Sequence, residues 1–60
     1  MPVVIIEMWE GRTIEQKKHL AEGITDVFVK IGTPPQAVHI IMKDNPKHNW
    51  ASAGKLSSES

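Results

Sequence analysis

A βαβ unit of the α/β class, two parallel strands joined through one helix, is what the patterning of this chain predicts. A run of β-favouring aliphatics opens it at Val3-Val4-Ile5-Ile6, an apolar stripe of helical period crosses the middle, and a second aliphatic run follows from Val38 to Met42. Strand, helix and strand within about forty residues imply a parallel pair with a crossover helix.

The first strand is predicted over Val3 to Met8. Side chains alternate along a strand, so Val3 and Ile5 face one way while Val4, Ile6 and Met8 face the other. Both sets are apolar, the pattern of a strand covered on both sides. Gly11 breaks the run, and Thr13-Ile14-Glu15-Gln16 has the form of a capping box. Leu20, Ile24, Val27, Phe28 and Ile31 then recur at helical spacing. Lys18–Glu22 and Asp26–Lys30 are spaced as charge pairs on an exposed face. Gly32 supplies a stop, and Pro34-Pro35 bars continuation, so the helix is expected over about residues 14–31. Gly23 inside it costs roughly 1 kcal/mol against alanine.

The second strand is expected from Ala37 to Lys43, with Val38, Ile40 and Met42 on one face and Ile41 on the other. Asp44-Asn45-Pro46 reads as a turn. The tail from Lys47 holds Trp50 and Leu56 among small and polar residues and cannot form a core of its own; Ser57 to Ser60 are expected to be mobile. One helix cannot cover both faces of this sheet. The uncovered face therefore predicts a subunit interface, sheet against sheet.

Size points the same way. Sixty residues make a single domain over 1–60, and a chain this short buries only about 60% of the surface its unfolded form exposes. There is no cysteine to form a disulfide or thiolate site, and His19, His39 and His48 lie too far apart for a short metal-binding motif. No metal or cofactor is implied. Oligomerisation remains as the common remedy for a small core. Seven basic and seven acidic residues cancel, which disfavours nucleic acid as a partner, since such binding needs a cationic footprint. No apolar stretch approaches the roughly 18 residues of a membrane span. The start lacks the basic region and cleavage site of a secretory signal. The lack of cysteine fits a cytoplasmic location.

Chemistry is suggested by Pro2. Initiator methionine is routinely removed ahead of a small residue, and removal here would turn the proline nitrogen from an amide into a secondary amine able to take and return a proton. A free α-amino group has a pKa of about 7.7–8.0. Apolar walls and a nearby cation each lower such a value by disfavouring the ammonium form. Glu10-Gly11-Arg12 turns out of the first strand and offers a cation that could return towards its start. Guanidinium holds a carboxylate bidentately without exchanging a proton. Arg12 is otherwise a solvated arginine beside a turn. Trp9 reads as packing, and Glu7 and Glu10 as solvated or salt-bridged.

Pro2 with its apolar strand, Glu10-Gly11-Arg12, Glu15-Gln16-Lys17, Val38 to Met42, Trp50 and Ala53-Gly54 together resemble the 4-oxalocrotonate tautomerase family of small oligomeric enzymes, over nearly the whole chain. The resemblance implies a short carboxy-terminal hairpin near 51–56, and a homo-oligomer expected to be a hexamer, a trimer of dimers. It implies an isomerase in which Pro2 shuttles a proton between an enol and its conjugated ketone, on a small carboxylate such as a 2-hydroxydienoate or enolpyruvate. Arg12 is then the group that binds the substrate carboxylate distant from the enol, or stabilises developing charge. Trp50 corresponds to an aromatic lining the pocket. His39 departs from the pattern, because the best-known members carry an arginine there. An imidazole lacks the bidentate fork, and His39 either donates one hydrogen bond to the enol oxygen or sits satisfied in a half-buried strand. Relatives that hydrate or dehalogenate 3-substituted acrylates share the proline but need a carboxylate to activate water, and nothing from Asn49 to Gly54 provides one. A non-catalytic oligomeric module of the same fold is the remaining alternative.

Overall fold

The structure, a computed structural model, describes residues 2–59. Strand β1 (Val3–Trp9) leads through a glycine turn into helix α1 (Ile14–Lys30), which returns to strand β2 (His39–Asn45). A two-residue hairpin of β3 (Ala51–Ser52) and β4 (Lys55–Leu56) follows. β1 and β2 are parallel, in a register that sets Val3 beside His39 and Trp9 beside Asn45.

Local chemistry explains the boundaries. Thr13 and Gln16 form the capping box: the Thr13 amide donates to Gln16 Oε1 at 2.9 Å, and the Gln16 amide to Thr13 Oγ1 at 3.1 Å. At the other end Gly32, at φ 101°, donates to the Val29 carbonyl, and Thr33 to the Phe28 carbonyl. Those two bonds close a Schellman motif, which requires a left-handed residue where the sequence supplies glycine. Gly23 has open space where a Cβ would stand, so packing within this chain does not account for it. Lys18 pairs with Glu15 at 3.9 Å, not with Glu22, and among the described residues no ion pair joins Asp26 to Lys30.

Strand β2 differs from expectation at both ends. Pro35–Ala37 form a 3-10 turn, with Ala37 donating to the Pro34 carbonyl and Val38 to that of Pro35. Proline's fixed φ suits the first position of a helical turn, so regular pairing begins at His39 instead of Ala37. Asp44 and Asn45 belong to the strand and not to a turn. The Glu10 amide donates to the Asn45 carbonyl at 3.0 Å, and Asn45 Nδ2 donates to Glu7 Oε1 at 2.9 Å. Pro46 is where the strand stops. Lys47–Asn49 and Ser57–Glu59 are further 3-10 turns. The second replaces the mobile tail expected there, closed by the Leu56 amide on Glu59 Oε2 at 2.8 Å; Ser60 lies outside the described residues.

Helix α1 covers one sheet face only. Val4, Ile6, Ile40 and Met42 are half-buried on one sheet face, as are Leu20, Ile24 and Phe28 along α1, and Met8, 7% exposed, is the one buried apolar residue among those described. Lys17 Nζ meets Asp44 Oδ2 at 2.6 Å, pinning the start of α1 to the end of β2. Val27 and Ile31 lie off the inner face and are exposed. On the far face Val3 and Ile5 are 57% and 56% exposed beside Ile41.

The chain is far from a closed globule. Its radius of gyration is 14.5 Å, against about 10 Å for a compact domain of this length. Its accessible surface is 4718 Å², against about 3,900 Å² for a self-standing monomer of this mass.

Candidate active site

The parallel register fixes where each expected site residue stands. Pro2 directly precedes β1, and its carbonyl accepts from the His39 amide at 3.0 Å. The register pairs Val3 with His39, so the imidazole belongs to the open, apolar face that α1 leaves uncovered. Pro2 and His39 are brought together at the amino end of the sheet. Met1, whose removal would free the Pro2 nitrogen, lies outside the described residues.

Arg12 and Trp50 stand at the opposite end. From Pro2 to Trp9 the chain is extended, and at about 3.3 Å per residue it covers about 23 Å. Gly11, at φ 118°, turns it into α1. Arg12 therefore does not return towards Pro2 in its own chain. At that separation, well beyond the Debye length of about 8 Å, its charge has little hold on the Pro2 nitrogen of the same protomer.

Two shallow, open hollows adjoin Arg12. One hollow of about 380 Å³ is lined by Arg12, Gln16, His19 and Leu20. A second, of about 340 Å³, is lined by Trp9, Glu10, Gly11, Arg12, Gln16 and Lys47. Trp50 meets Trp9 edge to face, with ring centroids 5.8 Å apart and planes at 71°. It contributes to this end through Trp9 and is not itself in the lining of either hollow. Lys47 Nζ lies over the Trp9 ring at 5.0 Å from its centroid, a cation–π contact.

Trp9 and Lys47 were not among the expected site residues. The signal lay in topology: parallel strands put both carboxyl ends side by side, and open parallel sheets bind ligands at that edge. Trp9 ends β1, and Lys47 follows the proline that ends β2. Among the described residues no group of three or more His, Cys, Asp or Glu side chains is placed to hold a metal ion, and no helix is long and apolar enough to cross a membrane.

Comparison with known proteins bears on the family and the fold. The family described as "Tautomerase enzyme" matches residues 2–60. A probable tautomerase of Streptococcus pneumoniae serotype 4 is 44% identical over 57 residues, covering 93% of this chain and 95% of its own length. A probable tautomerase of Ralstonia nicotianae is 42% identical over 60 residues, covering 98% and 92%. Among solved structures, a 4-oxalocrotonate tautomerase isozyme of Methylibium petroleiphilum superposes with a TM-score of 0.88 at 34% identity, over 95% of this chain and 94% of its own. YwhB, a homologue of 4-oxalocrotonate tautomerase, superposes at 0.92 with 33% identity, over 98% of each chain. On sequence and on fold alike, the chain belongs to the tautomerase family.

Proposed function

We propose that this protein is an isomerase that interconverts enol and keto forms of a 2-hydroxydienoate or enolpyruvate-type acid, with the amine of Pro2 as the proton carrier. The observation that carries the proposal is the station of Pro2, held by the His39 amide at the amino end of the sheet. Once Met1 is removed, its nitrogen takes the proton of the 2-hydroxyl group. The electron pair of that O–H bond forms the ketone, and the double bond migrates. The same nitrogen then returns the proton to carbon 3 or carbon 5. Atoms and charge balance, and no cofactor is required. His39 stands beside the proline and can donate to the enol oxygen.

Arg12 binds the substrate carboxylate remote from the enol, and it reaches Pro2 from a second copy of the chain. Three observations support assembly. The sheet face bearing Val3, Ile5 and Ile41 is open and apolar. The exposed surface exceeds that of a typical monomer by about 800 Å², close to one partner's share of a standard interface. Within one protomer the base and the guanidinium are a strand's length apart. The assembly proposed, by family resemblance, is a hexamer, with Trp50 shaping the pocket through Trp9.

The test is ketonisation of phenylenolpyruvate and 2-hydroxymuconate, followed by ultraviolet absorbance, on protein whose intact mass shows Met1 removed. Pro2→Ala should lower kcat/KM by about 10²-fold or more while leaving the native mass unchanged. Full activity in protein that retains Met1, whose Pro2 nitrogen is an amide, would overturn the mechanism; absence of turnover on any enol acid would favour the non-catalytic module.

A further inference from the structure

The carboxyl end of the sheet carries more charge than its Arg12 alone supplies. Three charged side chains line the second hollow: Arg12, Lys47 and Glu10. Arg12 and Glu10 cancel, so Lys47 is the residue that leaves the hollow net positive. Nearby carboxylates do not neutralise it. Asp44 is paired with Lys17 and Glu7 with Lys43, and among the described residues neither Arg12 nor Lys47 forms an ion pair.

Lys47 is also held in place. Pro46 caps the 3-10 turn that begins at Lys47, and the Lys47 carbonyl accepts from the Trp50 amide at 3.2 Å. Its ammonium group rests over the Trp9 ring. Gln16 adds a donor to the same hollow. Its Oε1 is occupied by the Thr13 amide, which leaves its Nε2 to donate. A guanidinium, an ammonium and a carboxamide N–H thus share one concavity with an aromatic wall, a set of groups matched to a carboxylate on a flat, conjugated chain.

We propose that Lys47, together with Arg12, holds the substrate carboxylate remote from the enol and sets the preference for diacids over monoacids. This rests on the tautomerase reading above. In place of a second arginine in β2, the second cation stands at the far end, beside the first.

Binding and turnover test it separately, on the full-length oligomer. Muconate and sorbate share a six-carbon conjugated skeleton, with two carboxylates and one; each is titrated against tryptophan fluorescence. Wild type should favour muconate, and Lys47→Gln should reduce the muconate-to-sorbate affinity ratio by about tenfold, whereas Lys47→Arg should retain it. In kinetics, Lys47→Gln should lower the selectivity for 2-hydroxymuconate over phenylenolpyruvate, chiefly through KM. A ratio unchanged in Lys47→Gln, an equal loss for both acids, or no muconate preference in wild type would overturn the assignment. A Lys47-dependent muconate preference without turnover of any enol would sink the tautomerase reading and leave this one standing; turnover with unchanged selectivity would do the reverse.

Discussion

The two ends of the sheet are built for different work. At the amino end Pro2 and His39 sit beside the apolar Val3 and Ile5, and no permanent cation is among the residues assigned there. At the carboxyl end Arg12 and Lys47 share a hollow with Trp9, Glu10 and Gln16. Proton transfer gains from apolar walls that disfavour the ammonium form of a base. Binding of a carboxylate calls for fixed cations and donors. One strand separates these environments by about 23 Å, so each can be tuned without disturbing the other. Under the proposed mechanism a single chain holds two half-sites, and the open sheet face is the means of bringing one chain's amino end to another's carboxyl end.

The largest expected effect comes from breaking that face. Ile5→Lys puts a charge in the middle of the exposed apolar patch, and burying an ion there costs several kcal/mol. Sedimentation or native mass should show the assembly replaced by smaller or unfolded species, with loss of turnover. An intact, active oligomer would mean that the copies meet elsewhere and that the two ends are joined by another surface.

A smaller effect is expected from Gly11→Ala at the carboxyl end alone. The residue sits at φ 118° with open space around the position of a Cβ, so the cost is conformational, about 1–2 kcal/mol. If the turn at Gly11 positions Arg12 for its proposed role, the variant should also weaken binding of the remote carboxylate, read as a raised KM for 2-hydroxymuconate. Lowered stability with unchanged KM would show that the turn does not position Arg12.

Much of this fold is legible in the residues because its signals are local. Thr13 and Gln16 announce the start of α1, Gly32 its end, and the alternation in Val3 to Met8 the two faces of β1. Signals went astray where a partner decided. Pro35 draws Gln36 and Ala37 into a 3-10 turn, and Asn45 stays in β2 because Glu7 and Glu10 hold it, which no property of Asp44-Asn45-Pro46 reveals. Val27 and Ile31 have apolar character and near-helical spacing, yet the face centred on Leu20, Ile24 and Phe28 turns them away from the sheet. At the site, Pro2, Arg12, His39 and Trp50 can be picked out singly. Their division between two ends follows only once β1 is known to be straight and β2 parallel to it, and the same step brings Trp9 and Lys47 into view.

The central claim is that base and guanidinium come from different copies of the chain. It is tested most directly by mixing two inactive variants, Pro2→Ala and Arg12→Ala, unfolding them together and refolding them at equal concentration. With sites shared between neighbours, about a quarter of them should pair an intact Pro2 with an intact Arg12 in a randomly mixed assembly. Ketonisation of 2-hydroxymuconate should then recover towards about a quarter of the wild-type rate, although each variant refolded alone stays inactive. Mixed oligomers confirmed by native mass, with no recovery above the sum of the separate variants, would contradict the account and return both residues to a single chain.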